Sequence, residues 1–203
     1  MKFKLIAISA LLLTLNACSV FSPMAKPSTQ WRSPEQYRPH FTSDGRLSVS
    51  FDGKGYSAHF DWQKQASTET LAVNTPLGST VGELCKDQQG VIAISAKEET
   101  YTASDITELS TQLLGFELPL EFLSYWAQGV TVPNQPYKVD QNGVLSQMGW
   151  QIKRYEAPEQ AINTPKRLEL INQKMDIRIV FDEFNFSPAS DEISQCPARN
   201  KDQ

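Results

Sequence analysis

The sequence predicts a mainly β domain, an antiparallel sheet of about ten or eleven short strands curled around a core, with helices lying across its open side. Three observations predict it. Apolar and polar residues alternate in short runs from Arg46 onward, turn residues separate the runs, and a single helical pair between about Asp105 and Gly129 interrupts them. Many short strands with one helical interruption fit a sheet that buries one face under helices.

The chain begins with Lys2 and Lys4, followed by an apolar run from Leu5 to Leu15 broken only by Ser9 and Thr14. Eleven residues are too few to cross a bilayer as a helix, but they suit the apolar region of a signal peptide. The run closes with Leu15-Asn16-Ala17-Cys18, which resembles the lipobox of bacterial lipoproteins. That resemblance implies that residues 1–17 are removed, that Cys18 carries lipid, and that Ser19, in place of the Asp retention signal, sends the protein to the periplasmic face of the outer membrane. An ordinary secretory signal with an unrelated cysteine is the alternative.

Of the 203 residues, 186 remain after removal of the first 17, enough for one domain with a sizeable core. They carry 17 Lys and Arg against 23 Asp and Glu. Such an acidic balance argues against nucleic-acid binding, which needs a basic face. Cys85 and Cys196 remain beside Cys18. A disulfide is permitted outside the cytoplasm, but sequence alone leaves the pairing open, and two unrelated thiols is the expectation.

Residues 18–30 read as an acylated cysteine and flexible tether, since they show no periodicity and carry Pro23 and Pro27. The binding domain is expected over 31–186. Ser33-Pro34-Glu35 offers a short helix start. Leu47, Val49 and Phe51 alternate with Arg46, Ser48 and Ser50, turn chemistry follows at Asp52-Gly53-Lys54-Gly55, and Tyr56, Ala58, Phe60 and Trp62 resume the alternation. Further strands pass through Leu71 and Val73, Val81 and Leu84, Val91 to Ile94, and Tyr101. Asp105 or Ser104 caps a helix carrying Ile106, Leu109 and Leu113 on one face. A second helix starts near Pro119, turns Leu120, Leu123 and Trp126 inward, and stops at Gly129. Asn142-Gly143 predicts a hairpin between Tyr137–Val139 and Val144-Leu145. Trp150 and Ile152, then Leu168 and Leu170, then Ile177, Ile179 and Phe181 complete the strands. The tail, 187–203, is polar and aperiodic and reads as disordered.

No metal-ligand spacing, nucleophile elbow or phosphate-cradling loop occurs, so neither an enzyme nor a cofactor is expected. His40 and His59 read as ordinary solvated side chains, and Asp44, Asp61 and Asp105 as single carboxylates. Asn74-Thr75-Pro76-Leu77-Gly78-Ser79-Thr80 stands out because turn residues surround a large aliphatic one. Leu77 either folds back into the core or faces something apolar outside. On pattern alone the core is the commoner outcome.

With these pieces placed, the chain resembles the LolB family of outer-membrane lipoprotein receptors. The residues carrying the resemblance are Gly45-Arg46-Leu47-Ser48-Val49, Gly55-Tyr56-Ser57-Ala58, Phe60-Asp61-Trp62 and Thr75-Pro76-Leu77-Gly78-Ser79-Thr80. Tyr101-Thr102-Ala103, Leu118-Pro119-Leu120, Tyr125-Trp126-Ala127-Gln128-Gly129 and Gly149-Trp150-Gln151-Ile152 follow in order. The resemblance implies an unclosed antiparallel β-barrel with a helical lid over an apolar cavity. It implies a monomer that accepts lipoproteins from the periplasmic carrier LolA and passes their acyl chains to outer-membrane lipids, with no covalent chemistry. It also implies that Pro76, Leu77 and Gly78 form a membrane-transfer loop with Leu77 exposed.

Three acyl chains hold some forty methylenes, and at about 0.8 kcal/mol each, unaided passage through water is about 30 kcal/mol uphill. The inward positions able to line a sheltering cavity are Val49, Phe51, Phe60, Trp62, Leu71, Val73, Leu113, Trp126, Trp150 and Ile179. The pattern does not separate lining from solid core. A carrier of another lipid or small apolar molecule, and an envelope lipoprotein with a purely structural role, are the alternative readings.

Overall fold

The computed structural model describes residues 27–65, 67–114, 117–156, 164–188 and 195–202. The signal segment, Cys18 and the first part of the tether lie outside them. Six strands come first: β1 (Phe41–Phe51), β2 (Lys54–Lys64), β3 (Glu69–Asn74), β4 (Thr80–Asp87), β5 (Gly90–Ser95) and β6 (Thr100–Ala103). Helices α1 (Ile106–Leu114) and α2 (Leu120–Ala127) follow. The last five strands are β7 (Tyr137–Val139), β8 (Leu145–Gln147), β9 (Trp150–Glu156), β10 (Pro165–Ile171) and β11 (Met175–Phe186).

All eleven strands form one antiparallel sheet in the order β6-β5-β4-β3-β2-β1-β11-β10-β9-β8-β7. Each half is a meander joined by turns, and the two halves meet where β1 pairs with β11, from Phe41↔Phe186 to Phe51↔Met175. The barrel is not closed, because β6 and β7 are the two edges. That order explains the helices. The chain must pass from one edge to the other between β6 and β7, and it does so through α1 and α2, which pack on β5 and β6 and on β9 and β10.

The turns follow the chemistry of the sequence. Asp52 and Gly53, with φ of 50° and 73°, make the tight β1–β2 turn. The β7–β8 connection is longer than Asn142-Gly143 alone suggests. Asp140 Oδ1 accepts from the N–H groups of Asn142 and Val144, both at 2.8 Å, and organises the whole loop. The first helix is capped by Asp105, whose Oδ1 accepts from Glu108 N at 2.8 Å, while the Glu108 carboxylate accepts from Ser104 N and Oγ.

The main core lies between the sheet and α2. Phe41, Val49, Phe60, Trp62, Trp126, Trp150, Ile152, Ile179 and Phe181 are buried together there. A smaller cluster of Val91, Ala93, Ile106 and Leu109 seats α1 on β5. Trp126 keeps its indole N–H satisfied by donating to Gln147 Oε1 at 3.1 Å inside this core. An unmade bond in such a site costs about 1–3 kcal/mol.

Three features depart from the expectation. The chain is already docked at residue 27, within the stretch expected to be a free tether. Pro27 bridges Tyr155, Ser28 N donates to Arg154 O at 2.7 Å, and Trp31 Nε1 donates to Gly143 O at 2.9 Å. Gly143 is required by this contact, since a Cβ on it would meet Ser28 O at 2.6 Å. Secondly, Cys85 and Cys196, expected to be unrelated thiols, form a disulfide. Thirdly, the chain end has structure. Residues Pro197–Asp202 form a 3-10 turn, and the Asp87 carboxylate accepts from Cys196 N at 3.0 Å and Arg199 Nε at 2.8 Å. Among the described residues this tail is held by the disulfide, by the Asp87 carboxylate and by the packing of Cys196 and Ala198 on Ile92, none of which leaves a periodic trace in sequence.

Candidate functional site

In β3 and β4, side chains alternate between a face under the helices and an outer face. The paired positions Leu71↔Leu84 and Val73↔Gly82 place these residues on the helical side. There they border a cleft of about 280 Å³ between β3, β4 and β5 and the start of α2. Val81, Ala93, Ile94, Leu118 and Leu120 complete its apolar lining, with Ser95, Ser110 and Glu83 as the nearest polar groups. Such a cleft, mostly aliphatic with few polar groups, suits an apolar ligand.

The two ends of the cleft differ. Deeper along the same face, Lys64, Glu69 and Lys86 occupy one cross-strand row of β2, β3 and β4. Lys64 Nζ pairs with Glu69 Oε2 at 2.6 Å, Trp62 Nε1 donates to Glu69 Oε1 at 2.9 Å, and Lys86 Nζ pairs with Glu121 Oε1 of α2 at 2.5 Å. Nearby, Tyr37 donates to Ser124 Oγ at 2.9 Å and stacks on Tyr125. Burial pushes the Tyr37 phenol well above its ordinary pKa, and the Glu69 charge adds to the rise against the opposing Ser124 bond. This end is polar, and bonded to the helices.

The other end opens at the β3–β4 hairpin. Thr75 organises its loop: Thr75 N donates to Ser79 O at 2.8 Å, Gly78 N donates to Thr75 O at 2.8 Å, and Ser79 N donates to Thr75 Oγ1 at 3.1 Å. Gly78 sits at φ +87°, a left-handed position that closes the turn. The loop therefore has a defined conformation that holds Leu77 at its tip, and Leu77 is 96% exposed. Pattern alone favoured the opposite outcome. The reason is local, because a five-residue loop closed by its own hydrogen bonds leaves its central side chain no route back to the core.

Of the ten inward positions, Leu71 and Val73 border the cleft. Val49, Phe60, Trp62, Trp126, Trp150 and Ile179 are buried in the main cluster, and Phe51 packs against it. The Leu113 side chain lies outside the described ones, as does Cys18. Sequence reasoning missed Val81, Leu84, Ala93, Ile94, Leu118 and Leu120 as lining residues. Their apolar character was visible, but not the gap between sheet and helices that they share. The single carboxylates serve structure. Asp105 caps α1, and Asp61 accepts from Asn74 Nδ2 at 2.9 Å. Burial, then the charges of Glu183, Asp182 and Asp61, raise Asp44 above the usual carboxylate range. Among the described residues no group of three or more His, Cys, Asp or Glu is placed to hold a metal ion.

The model of one protein family, described as "Outer membrane lipoprotein LolB", matches residues 39–184. A protein of Neisseria meningitidis named "Outer-membrane lipoprotein LolB" is 38% identical over 191 residues, covering 94% of this chain and 96% of its own. One of the same name from Chromobacterium violaceum is 35% identical over 140 residues, covering 69% of this chain and 77% of its own. Among solved structures, a LolA-superfamily protein from Nitrosomonas europaea overlays 78% of this chain and 91% of its own, with a TM-score of 0.45 and 6% identity.

Proposed function

Because the chain belongs to the LolB family of outer-membrane lipoproteins, we propose that it is the receptor that accepts mature lipoproteins from the periplasmic carrier LolA and inserts them into the outer membrane. One observation supports the reading above the others: an apolar cleft opens at the base of a hairpin whose tip presents a fully exposed leucine. The cleft shelters acyl chains, and Leu77, held between Pro76 and Gly78, enters the lipid interface while they leave. The protein stays beside its target membrane through lipid on Cys18. The region 31–186 acts as one binding domain and needs no cofactor and no covalent step.

The contour of the anchor suits this. Pro27 lies nine residue steps after Cys18, and at about 3.3–3.6 Å each these reach about 30 Å.

The test is direct. LolA loaded with a triacylated lipoprotein is mixed with the chain lacking residues 1–18, and lipoprotein bound to each protein is measured after separation. Movement of lipoprotein onto this chain supports the proposal. Retention on LolA, with the chain folded, contradicts it.

A further inference from the structure

The β3–β4 hairpin contains an irregularity at the mouth of the cleft. Val73 pairs with Gly82 and Asn74 pairs with Thr80, so Val81 is an extra residue with no partner across the strand. Its carbonyl is used on the other side, accepting from Ala96 N at 2.9 Å. Strict alternation would send Val81 to the outer face with Glu83 and Cys85. A bulge breaks alternation and re-aims the side chain at its position. Val81 borders the cleft while remaining 48% exposed. Its neighbour Gly82 also borders the cleft, packed so closely on β5 that a Cβ would meet the Ile94 carbonyl oxygen at 3.0 Å.

Resting on the reading above, we propose that Val81 is the threshold over which acyl chains leave the cleft, a positioning residue for release rather than for uptake. Three observations converge on it. From Val73 to Gly82 the chain carries no Asp, Glu, Lys or Arg, so the hairpin itself sets no charge in the way of a methylene chain, and the nearest charged side chain of the lining is Glu83. Exposure rises in steps along this path, from the half-buried Leu84 and Val73 through Val81 to Leu77. The far end is closed by the Lys64–Glu69 and Lys86–Glu121 pairs, so that direction is unfavourable for an apolar chain. The exit is therefore at the bulge, between the cleft and the leucine tip.

The substitution that tests this is Val81→Asp, with Val81→Thr as a same-shaped polar variant, Val81→Ile as the apolar one and Leu84→Glu as a change inside the cleft. The probe is a fluorescent tripalmitoylated cysteine lipopeptide. Its binding is measured first, then its release into phosphatidylethanolamine–phosphatidylglycerol vesicles.

Val81→Asp is expected to bind the probe within about twofold of wild type and release it about tenfold more slowly, a barrier increase of about 1.4 kcal/mol. Val81→Thr should slow release in the same direction by a smaller factor, and it decides the matter if Val81→Asp does not fold. Val81→Ile should release normally. Leu84→Glu should lose binding itself. Normal release from both polar variants, or a binding loss in them equal to that of Leu84→Glu, overturns the threshold role while leaving the receptor reading in place. Failure of the wild type to bind the lipopeptide defeats both.

Discussion

Replacing both Cys85 and Cys196 with alanine measures how much the cross-link between β4 and the chain end contributes to the fold. The disulfide joins residues 111 apart, and a cross-link closing about that many residues restricts the unfolded chain by about 4.8 kcal/mol in the loop-entropy account. The realised loss should be smaller. The bonds from Cys196 N and Arg199 to Asp87 do not depend on the sulfur link, so the tail can still dock. Removal of a native disulfide commonly costs about 2–5 kcal/mol, and we expect a value inside that range. For a domain of this size a 3 kcal/mol loss lowers the melting midpoint by about 6–12 °C. The assay is urea unfolding followed by tryptophan fluorescence, for the oxidised chain, the chain with dithiothreitol and the double alanine variant. The last two should coincide with each other, and both should show a steeper denaturant dependence, because an uncrosslinked chain exposes more surface on unfolding. Coincidence of all three curves would refute the reasoning, showing that the cross-link adds nothing to the stability of the fold.

Other substitutions separate the cleft from the core. Leu77→Ala should change stability by less than about 0.5 kcal/mol in urea unfolding, as exposed positions do, whereas Phe60→Ala should cost about 3–5 kcal/mol. Acid unfolding should expose the role of Asp87. Burial pushes its pKa up, but the bonds from Arg199, Cys196 N and Gln89 N and the Arg199 charge outweigh this and hold it below the ordinary value. Its contribution is therefore complete above the unfolded-state value near 3.9 and is lost as pH falls through the lower folded value. The stability gap between wild type and Asp87→Asn should accordingly be constant from about pH 7 to 5 and shrink in stronger acid. A gap that widened on acidification would reverse the assignment. A chain beginning at Pro27 should match the stability of the chain without residues 1–18, while one beginning at Ser33 should melt lower. It loses the bonds of Ser28 and Trp31 and the Arg32↔Val130 bridge.

The sheet was legible because its two signals are local. Alternation at Leu47–Phe51 and Phe60–Trp62 and the turn at Asp52-Gly53 each follow from neighbours a few residues apart. The helical pair was legible for the same reason, and the Ser104–Glu108 network shows its cap chemistry at work. The pattern failed where register breaks. Phe181 and Phe184 are both buried because the β1–β11 register shifts, with Gly45 opposite Phe181 and Asp44 opposite Glu183. That irregularity hid the end of β11, as the one at Val81 hid a lining residue. The cleft itself was not legible. Periodicity assigns a side chain to a face but not to a depth, so Trp126 and Leu71 look alike in sequence, although one is sealed in the core and the other borders open space. Contacts between distant single residues, such as Cys85 with Cys196 and Pro27 with Tyr155, carry no periodicity at all.

Lipoprotein transfer from loaded LolA, through this protein, to liposomes tests most directly whether the cleft and the Leu77 hairpin act as one delivery device. The measured quantity is the share of lipoprotein on LolA, on this chain and in the vesicles over time, for wild type and Leu77→Glu. Wild type should pass lipoprotein through to the vesicles. Leu77→Glu, with its cleft intact, should draw lipoprotein from LolA at the wild-type rate and then keep it, so that the intermediate accumulates. Delivery to vesicles at the normal rate by Leu77→Glu would contradict the account, as would a Leu77→Glu chain that never takes lipoprotein from LolA.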